Sequence, residues 1–268
     1  MSRIATRFAE LAQQRRKGLI TFITAGDPAP AATVPLLHAM VAGGADIIEV
    51  GVPFSDPMAE GPVIQRASER ALRHHVSLHD VLAMVAEFRR TDTRTPVVLM
   101  GYLNPIEHMG YRAFAAAAQQ AGADGVITVD LPPEEGAEYI AALRAARLDP
   151  VFLLAPTSTP ARIRQIGALA SGFVYYVSLK GVTGASTFDL QSVAGSVAAI
   201  RRDIHQPLAV GFGIKTPQVA AQAAALADAV VIGSAVVSII EQCGADSGRA
   251  ITEVTDYLTA IRQAIDAA

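Results

Sequence analysis

Glu49 is a carboxylate set inside an apolar run, Ile47-Ile48-Glu49-Val50-Gly51-Val52-Pro53. Acidic side chains are seldom fully buried unless they are paired or functional. Desolvation raises the pKa of such a group, which suits a general acid/base. A structural carboxylate, bonded to a backbone or hydroxyl partner, is the other reading. A short stretch then follows, Phe54-Ser55-Asp56-Pro57-Met58-Ala59-Glu60-Gly61-Pro62, with Pro53 just before it. Its prolines lower the entropy cost of ordering it, as a lid or active-site loop requires. Glu60 lies far enough past Glu49 to fold back over a site that Glu49 would occupy.

A second group of residues points to a phosphate. Gly184 follows Tyr175-Tyr176-Val177-Ser178, Gly213 follows Val210-Gly211-Phe212, and Gly233-Ser234 follows Val231-Ile232. Glycine lets backbone N–H groups approach a ligand closely. Ser234 opens a short apolar helix, Ala235–Ile240, and a helix N-terminus is an anion site. Together the three places fit a phosphate monoester better than packing glycines. Alternation puts Tyr175 and Val177 on one face of their strand and Tyr176 on the other, so one hydroxyl can enter the interior.

The elements that must position these groups repeat one phrase: a short β-branched run, a loop, then an alanine-rich helical stretch. The runs are Leu19–Ala25, Asp46–Val52, Val97–Tyr102, Gly125–Asp130, Pro150–Ala155, Phe173–Ser178, Leu208–Phe212 and Ala229–Gly233. They are nearly all apolar rather than alternating, which indicates parallel strands covered on both faces. Start signals precede the helices: a capping box at Ser77-Leu78-His79-Asp80, and Thr159-Pro160 and Thr216-Pro217 at two other starts. Met1 to Arg16 reads as an amphipathic helix through Ile4, Phe8 and Leu11. The second and third runs are unusually far apart, so Pro53–His75 is an insertion. Eight such units close most economically into a (β/α)8 barrel with an extra N-terminal helix and an inserted loop and helix after strand 2. An open doubly wound sheet is the alternative, but no G-x-G-x-x-G follows the first strand. No low-complexity linker divides the chain, so residues 1–268 read as one domain. Active sites of such barrels lie at the carboxyl ends of the strands.

Composition excludes several classes. Hydrophobic residues make up 51% and charged residues 18%, which is incompatible with disorder. A net charge of −3 and a pI near 6.1 argue against a nucleic-acid surface. No apolar segment is long enough to span a membrane. Neither a signal peptide nor another targeting segment is recognisable. The single cysteine, Cys243, rules out a disulfide framework and a thiolate cluster, and fits a cytoplasmic setting. The histidines show no metal spacing beyond His75 and His79, which straddle a helix start, so no metal site is expected. Lys180 and Lys215 lie beyond strands rather than on them. That disfavours imine chemistry and favours acid/base cleavage.

The chain resembles the tryptophan synthase alpha chain family. The resemblance is carried in order by Phe22-Ile23-Thr24-Ala25-Gly26-Asp27-Pro28, Glu49-Val50-Gly51-Val52-Pro53-Phe54-Ser55-Asp56-Pro57, Gly61-Pro62-Val63-Ile64-Gln65, Asp130-Leu131-Pro132, Gly181-Val182-Thr183-Gly184 and Gly211-Phe212-Gly213-Ile214. It runs from about residue 7 to the C-terminus. It implies a TIM barrel that cleaves indole-3-glycerol phosphate to indole and glyceraldehyde 3-phosphate, with no metal or cofactor in this chain. Glu49 would be the acid/base and Tyr175 would assist near the glycerol moiety. Phe22, Met100, Tyr102, Ile127, Val129 and Phe212 would border the indole. Gly184, Gly213, Gly233 and Ser234 would hold the phosphate. The family pattern Pro-Met-Ala-Asp-Gly-Pro has its aspartate accept the indole N–H; here that place is taken by Glu60.

The resemblance also implies a beta-chain partner that carries pyridoxal phosphate, in an α2β2 complex into which indole passes. Asp56 and Thr183, on the two loops that face that partner, would couple the chains. Three other readings remain beside the lyase. One is a catalytically weakened alpha chain that mainly activates its partner, motivated by Glu60. Another is a stand-alone indole-releasing lyase. The third, a phosphosugar isomerase, lacks a strand-end histidine.

Overall fold

The structure is a computed structural model and describes residues 2–178, 190–211 and 213–268. Gly184, Thr183, Phe212 and Lys180 lie outside the described residues. Eight parallel strands close a barrel in chain order. They are β1 (Gly18–Thr24), β2 (Ile47–Gly51), β3 (Val97–Gly101), β4 (Gly125–Thr128), β5 (Asp149–Leu154), β6 (Val174–Val177), β7 (Leu208–Gly211) and β8 (Ala229–Ile232). The helices are α1 (Arg3–Gln13), α2 (Pro30–Ala42), α3 (Pro62–Leu72), α4 (Leu78–Phe88), α5 (Leu103–Met109), α6 (Tyr111–Ala121), α7 (Ala137–Ala145), α8 (Pro160–Leu169), α9 (Leu190–Ile200), α10 (Pro217–Ala224), α11 (Ser234–Cys243) and α12 (Ser247–Asp266). The N-terminal helix is shorter than Met1–Arg16, and α11 runs past Ile240 to Cys243. Most strands stop a residue or two before their apolar runs do. Among the described residues, the run ends that lie outside the strands lead into the loops at the carboxyl end of the barrel.

Strand alternation sorts the core into two shells. Ile20, Ile47, Val98, Ile127, Val151, Tyr175, Ala209 and Val231 fill the barrel interior. Leu19, Ile23, Ile48, Val50, Val97 and Leu99 point outward against the helices. Every residue of β1 and β2 is buried, as the unbroken apolar runs require.

Helix α1 closes the amino end of the barrel. Its Ile4, Phe8 and Leu11 join the interior cluster, and the Phe8 ring lies 6.1 Å from that of Phe173. Arg7 and Arg262 converge on buried Asp46, at 2.6 and 3.0 Å, which ties α1 and α12 to that end. The other helix signals are also in place. Ser77 and Asp80 form a reciprocal capping box on α4, and Thr159 and Thr216 cap α8 and α10 from the residue before each first-turn proline. Helix α1 thus occupies the amino end, opposite the carboxyl ends of the strands where barrel active sites lie. Among the described residues no helix is long and apolar enough to cross a membrane.

Candidate active site

β1 and β2 run in register with Phe22 opposite Glu49, and Glu49 in turn stands opposite Val98 on β3. The ladder therefore aims Glu49 into the barrel with the Phe22 ring on one side and the Val98 isopropyl group on the other. Glu49 is 1% exposed, and its Oε1 has no hydrogen-bond partner. A buried carboxylate without a partner carries a desolvation penalty that a structural carboxylate would avoid by bonding. Burial pushes its pKa up to about 8, and the charge of Glu60 adds to that rise.

Glu60 reaches the same mouth from the inserted segment. Loss of water around it raises its pKa to about 7. Three contacts shape the segment. The Ala59 N–H donates to the Tyr102 hydroxyl at 2.9 Å. The Phe54 ring stacks on that of Tyr102, centroids 5.1 Å apart and 23° from parallel. The Gln65 side-chain amide donates to the Glu60 carbonyl at 2.9 Å from the first turn of α3. Tyr102 sits just past β3, so the segment is fastened to the barrel rim at one side and to α3 at the other.

Tyr175 enters the interior from β6, while Tyr176 packs outward with the helices, as alternation requires. Burial raises the Tyr175 phenol well above its usual value, and the charges of Glu49 and Glu60 push the same way. The three groups therefore share one field. Two glycines, named in the sequence only within the motifs that carry the resemblance, make room for the rings beside Glu49. A Cβ on Gly211 would collide with the Tyr175 ring, and one on Gly51 would sit 2.5 Å from the Phe22 Cζ.

The apolar candidates gather around Glu49. Ile127 is fully buried and stands opposite Met100 on β3 and Val151 on β5. Met100 packs both with the interior and with Phe22, and Val129 lines the interior above Ile127. Phe22 is also covered by Ala67 and partly by Val63 and Ile64 of α3, and by Val237 of α11. Of the α3 residues, Val63 and Ile64 entered the sequence reading only within a family motif, and Ala67 was not named.

Gly213 and Gly233 stand at the ends of β7 and β8. Gly213 has φ +77°, so its conformation favours glycine, while the space around a would-be Cβ is open. Gly233 is the N-cap of α11 and no side chain caps that helix end. Its first-turn N–H groups, beginning at Ser234, lack a side-chain acceptor. Asp56 is exposed and accepts from the Ser55 hydroxyl at 2.5 Å, away from the interior. Met58 beside it is 84% exposed.

Residues 8–266 match the family model described as tryptophan synthase alpha chain. A tryptophan synthase alpha chain of Herminiimonas arsenicoxydans is 59% identical over 266 residues, 99% of this chain and 100% of its own. One of Thioalkalivibrio sulfidiphilus is 60% identical over the same shares. Among solved structures, tryptophan synthase subunit alpha from Legionella pneumophila superposes with TM-score 0.94 at 46% identity, covering both chains fully. A Mycobacterium tuberculosis tryptophan synthase structure gives 0.90 at 37% identity, over 99% of this chain and 98% of that one.

Proposed function

We propose a division of labour within the site from the premise that the chain belongs to the tryptophan synthase alpha chain family. The family's activity is a carbon–carbon lyase reaction, retro-aldol cleavage of indole-3-glycerol phosphate. In this reading Glu49 is the general acid/base. Its raised pKa keeps the carboxyl protonated near neutral pH, so it can deliver a proton to indole C3. The ring becomes an iminium cation. The glycerol C3′ hydroxyl then loses its proton to the Glu49 carboxylate, a C=O forms, and the C–C electrons return to the ring. Indole and glyceraldehyde 3-phosphate result, and Glu49 ends protonated as it began.

Glu60 accepts the indole N–H and stabilises the cation. Of the two carboxyls it ionises first, being the less strongly raised. Environment thus separates two like groups into a proton donor and a charge stabiliser. Tyr175, kept as a neutral phenol by its surroundings, assists at the glycerol hydroxyl. Phe22, Met100, Ile127 and Val129 hold the apolar ring, and Tyr102 borders it from the rim. Gly213, Gly233 and Ser234 receive the phosphate at the start of α11, where unpaired N–H groups and the helix dipole favour an anion.

The proposal extends to the assembly. The exposed Phe54–Gly61 rim, with Asp56 and Met58, faces a beta chain that carries pyridoxal phosphate. The complex is α2β2 and cytoplasmic. The observation that carries the catalytic reading is the buried, unpartnered Oε1 of Glu49. Glu49→Gln keeps the shape and removes the proton. Indole release from indole-3-glycerol phosphate, with saturating beta chain and no serine, should fall by about 1,000-fold or more while the fold persists. Residual turnover above a few per cent would remove Glu49 from the chemistry. Absence of turnover in the unsubstituted chain, still bound to its partner, would favour an activating subunit with a disabled site.

A further inference from the structure

Behind the site, on the side of α3 and α11 away from the barrel axis, four charged side chains form a continuous chain of hydrogen bonds. The Asp27 carboxylate, 1% exposed in the loop after β1, accepts two bonds from Arg70 at 2.6 and 2.9 Å. Arg70 also donates to Glu241 at 2.7 Å. Arg66 completes the set with a two-pronged contact to the same Glu241, at 2.7 and 2.8 Å. Arg66 and Arg70 belong to α3, Glu241 to α11.

We propose that this chain sets the span between the two ends of the active site, and that Glu241 and Arg70 are positioning residues for the cleavage. The inference rests on the functional reading above and concerns how its two halves are held in register. Helix α3 begins at Pro62, two residues after Glu60, with Gly61 as its N-cap. Helix α11 begins at Ser234, where the phosphate would lie. Arg66 is about 6 Å along α3 from its start and Glu241 about 10 Å along α11 from its own, at 1.5 Å per residue. A helix is stiff along its axis, so a slip at the clamp appears at the N-terminus.

The rest of the seam is apolar packing among the described residues. Between the helices lie Phe22, Ala67 and Val237, and the contact of a methyl and an isopropyl group against a ring is non-directional. The guanidinium forks are directional, because each fixes two donors against two acceptor oxygens. The pull of the two arginines is also visible on Glu241, whose pKa is lowered to about 2. Arg70 continues the tie to Asp27, so both helices are referred to the end of β1. The substrate must touch Glu60 with its ring and α11 with its phosphate, and the clamp is the directional tie between the two helices that carry those ends.

The test separates span from mere support. In Glu241→Gln, the affinities for inorganic phosphate and for indole, each of which needs only one end, should stay within twofold of the parent. The kcat for indole-3-glycerol phosphate, which must satisfy both ends at once, should fall about tenfold, since displacements near 1 Å cost up to about 100-fold. Arg66→Gln, on a half-exposed side chain that leaves Arg70 bound to Asp27, should show the same split to a smaller degree, and keeps the test decisive if the first variant does not fold. Unchanged kcat in either folded variant overturns the inference. So does a loss of phosphate affinity that matches the loss of kcat, which would mark ordinary structural support. An inactive parent overturns the lyase reading instead.

Discussion

Glu49 and Glu60 are the same chemical group in two settings, one enclosed by apolar strands, the other at the rim. Catalysis in the proposed scheme needs Glu60 ionised and Glu49 protonated. Glu60 ionises through about pH 7 and Glu49 through about pH 8, so the profile of kcat/KM should be a narrow bell between them. The charge of Glu60 contributes to the raised Glu49 value. Replacing Glu60 with Gln should therefore move the alkaline limb to lower pH as well as lower the rate. An alkaline limb that stays in place would uncouple the two acids. Glu60→Asp should preserve or raise the rate, because it restores the family's side chain. A large drop would show that the rim has adapted to the extra methylene.

At the scale of elements, the inserted segment after β2 is held by what it touches rather than by regular structure. Its backbone is bonded to Tyr102 through Ala59, and Glu60 is bonded through its carbonyl to Gln65. Tyr102→Phe keeps the ring that stacks on Phe54 and removes only the acceptor of the Ala59 N–H. The expected result is a several-fold fall in kcat with an unaltered melting temperature, in line with about 10-fold or more for modest misplacement of a catalytic group. Wild-type kcat would limit Tyr102 to bordering the ring. The glycines of β2 and β7 act at the same scale. Gly51 and Gly211 leave the volume that the Phe22 and Tyr175 rings occupy, so each ring's position depends on a neighbouring strand.

At the scale of the whole molecule, the site is a cost to the fold. Glu49 is protonated in the folded chain up to about pH 8 but ionises near 4.5 when unfolded. The folded state therefore binds the extra proton between those values, and stability falls as pH rises through that window, then levels off above it. Each unit of pKa difference corresponds to about 1.4 kcal/mol. Glu49→Gln has no proton to lose. Denaturant unfolding should thus show the variant gaining on the parent steadily from about pH 5 to pH 8, and most at alkaline pH. Parallel stability curves across that range would mean that Glu49 is not desolvated. At the opposite end of the barrel the buried Asp46 carboxylate is bonded to Arg7, Arg262 and the Leu19 N–H.

The local pattern of residues determined which segments become strands, how many there are, and that Glu49 is out of place among them. Burial on both faces leaves a mark on every residue of a strand, so β1 to β8 were legible one by one, as were the caps at Ser77, Thr159 and Thr216. The glycines after the last strands likewise pointed to the end at which we place the phosphate. Tertiary structure alone decided how far apart these pieces lie. The closeness of Glu60 to Glu49, the hold of Tyr102 on Ala59, and the bond from Arg66 to Glu241 across 175 positions of sequence all depend on barrel closure. Periodicity reports only the direction in which a side chain leaves its own element. It contains no information on which distant side chain meets it there, and that meeting sets pKa, register and reach.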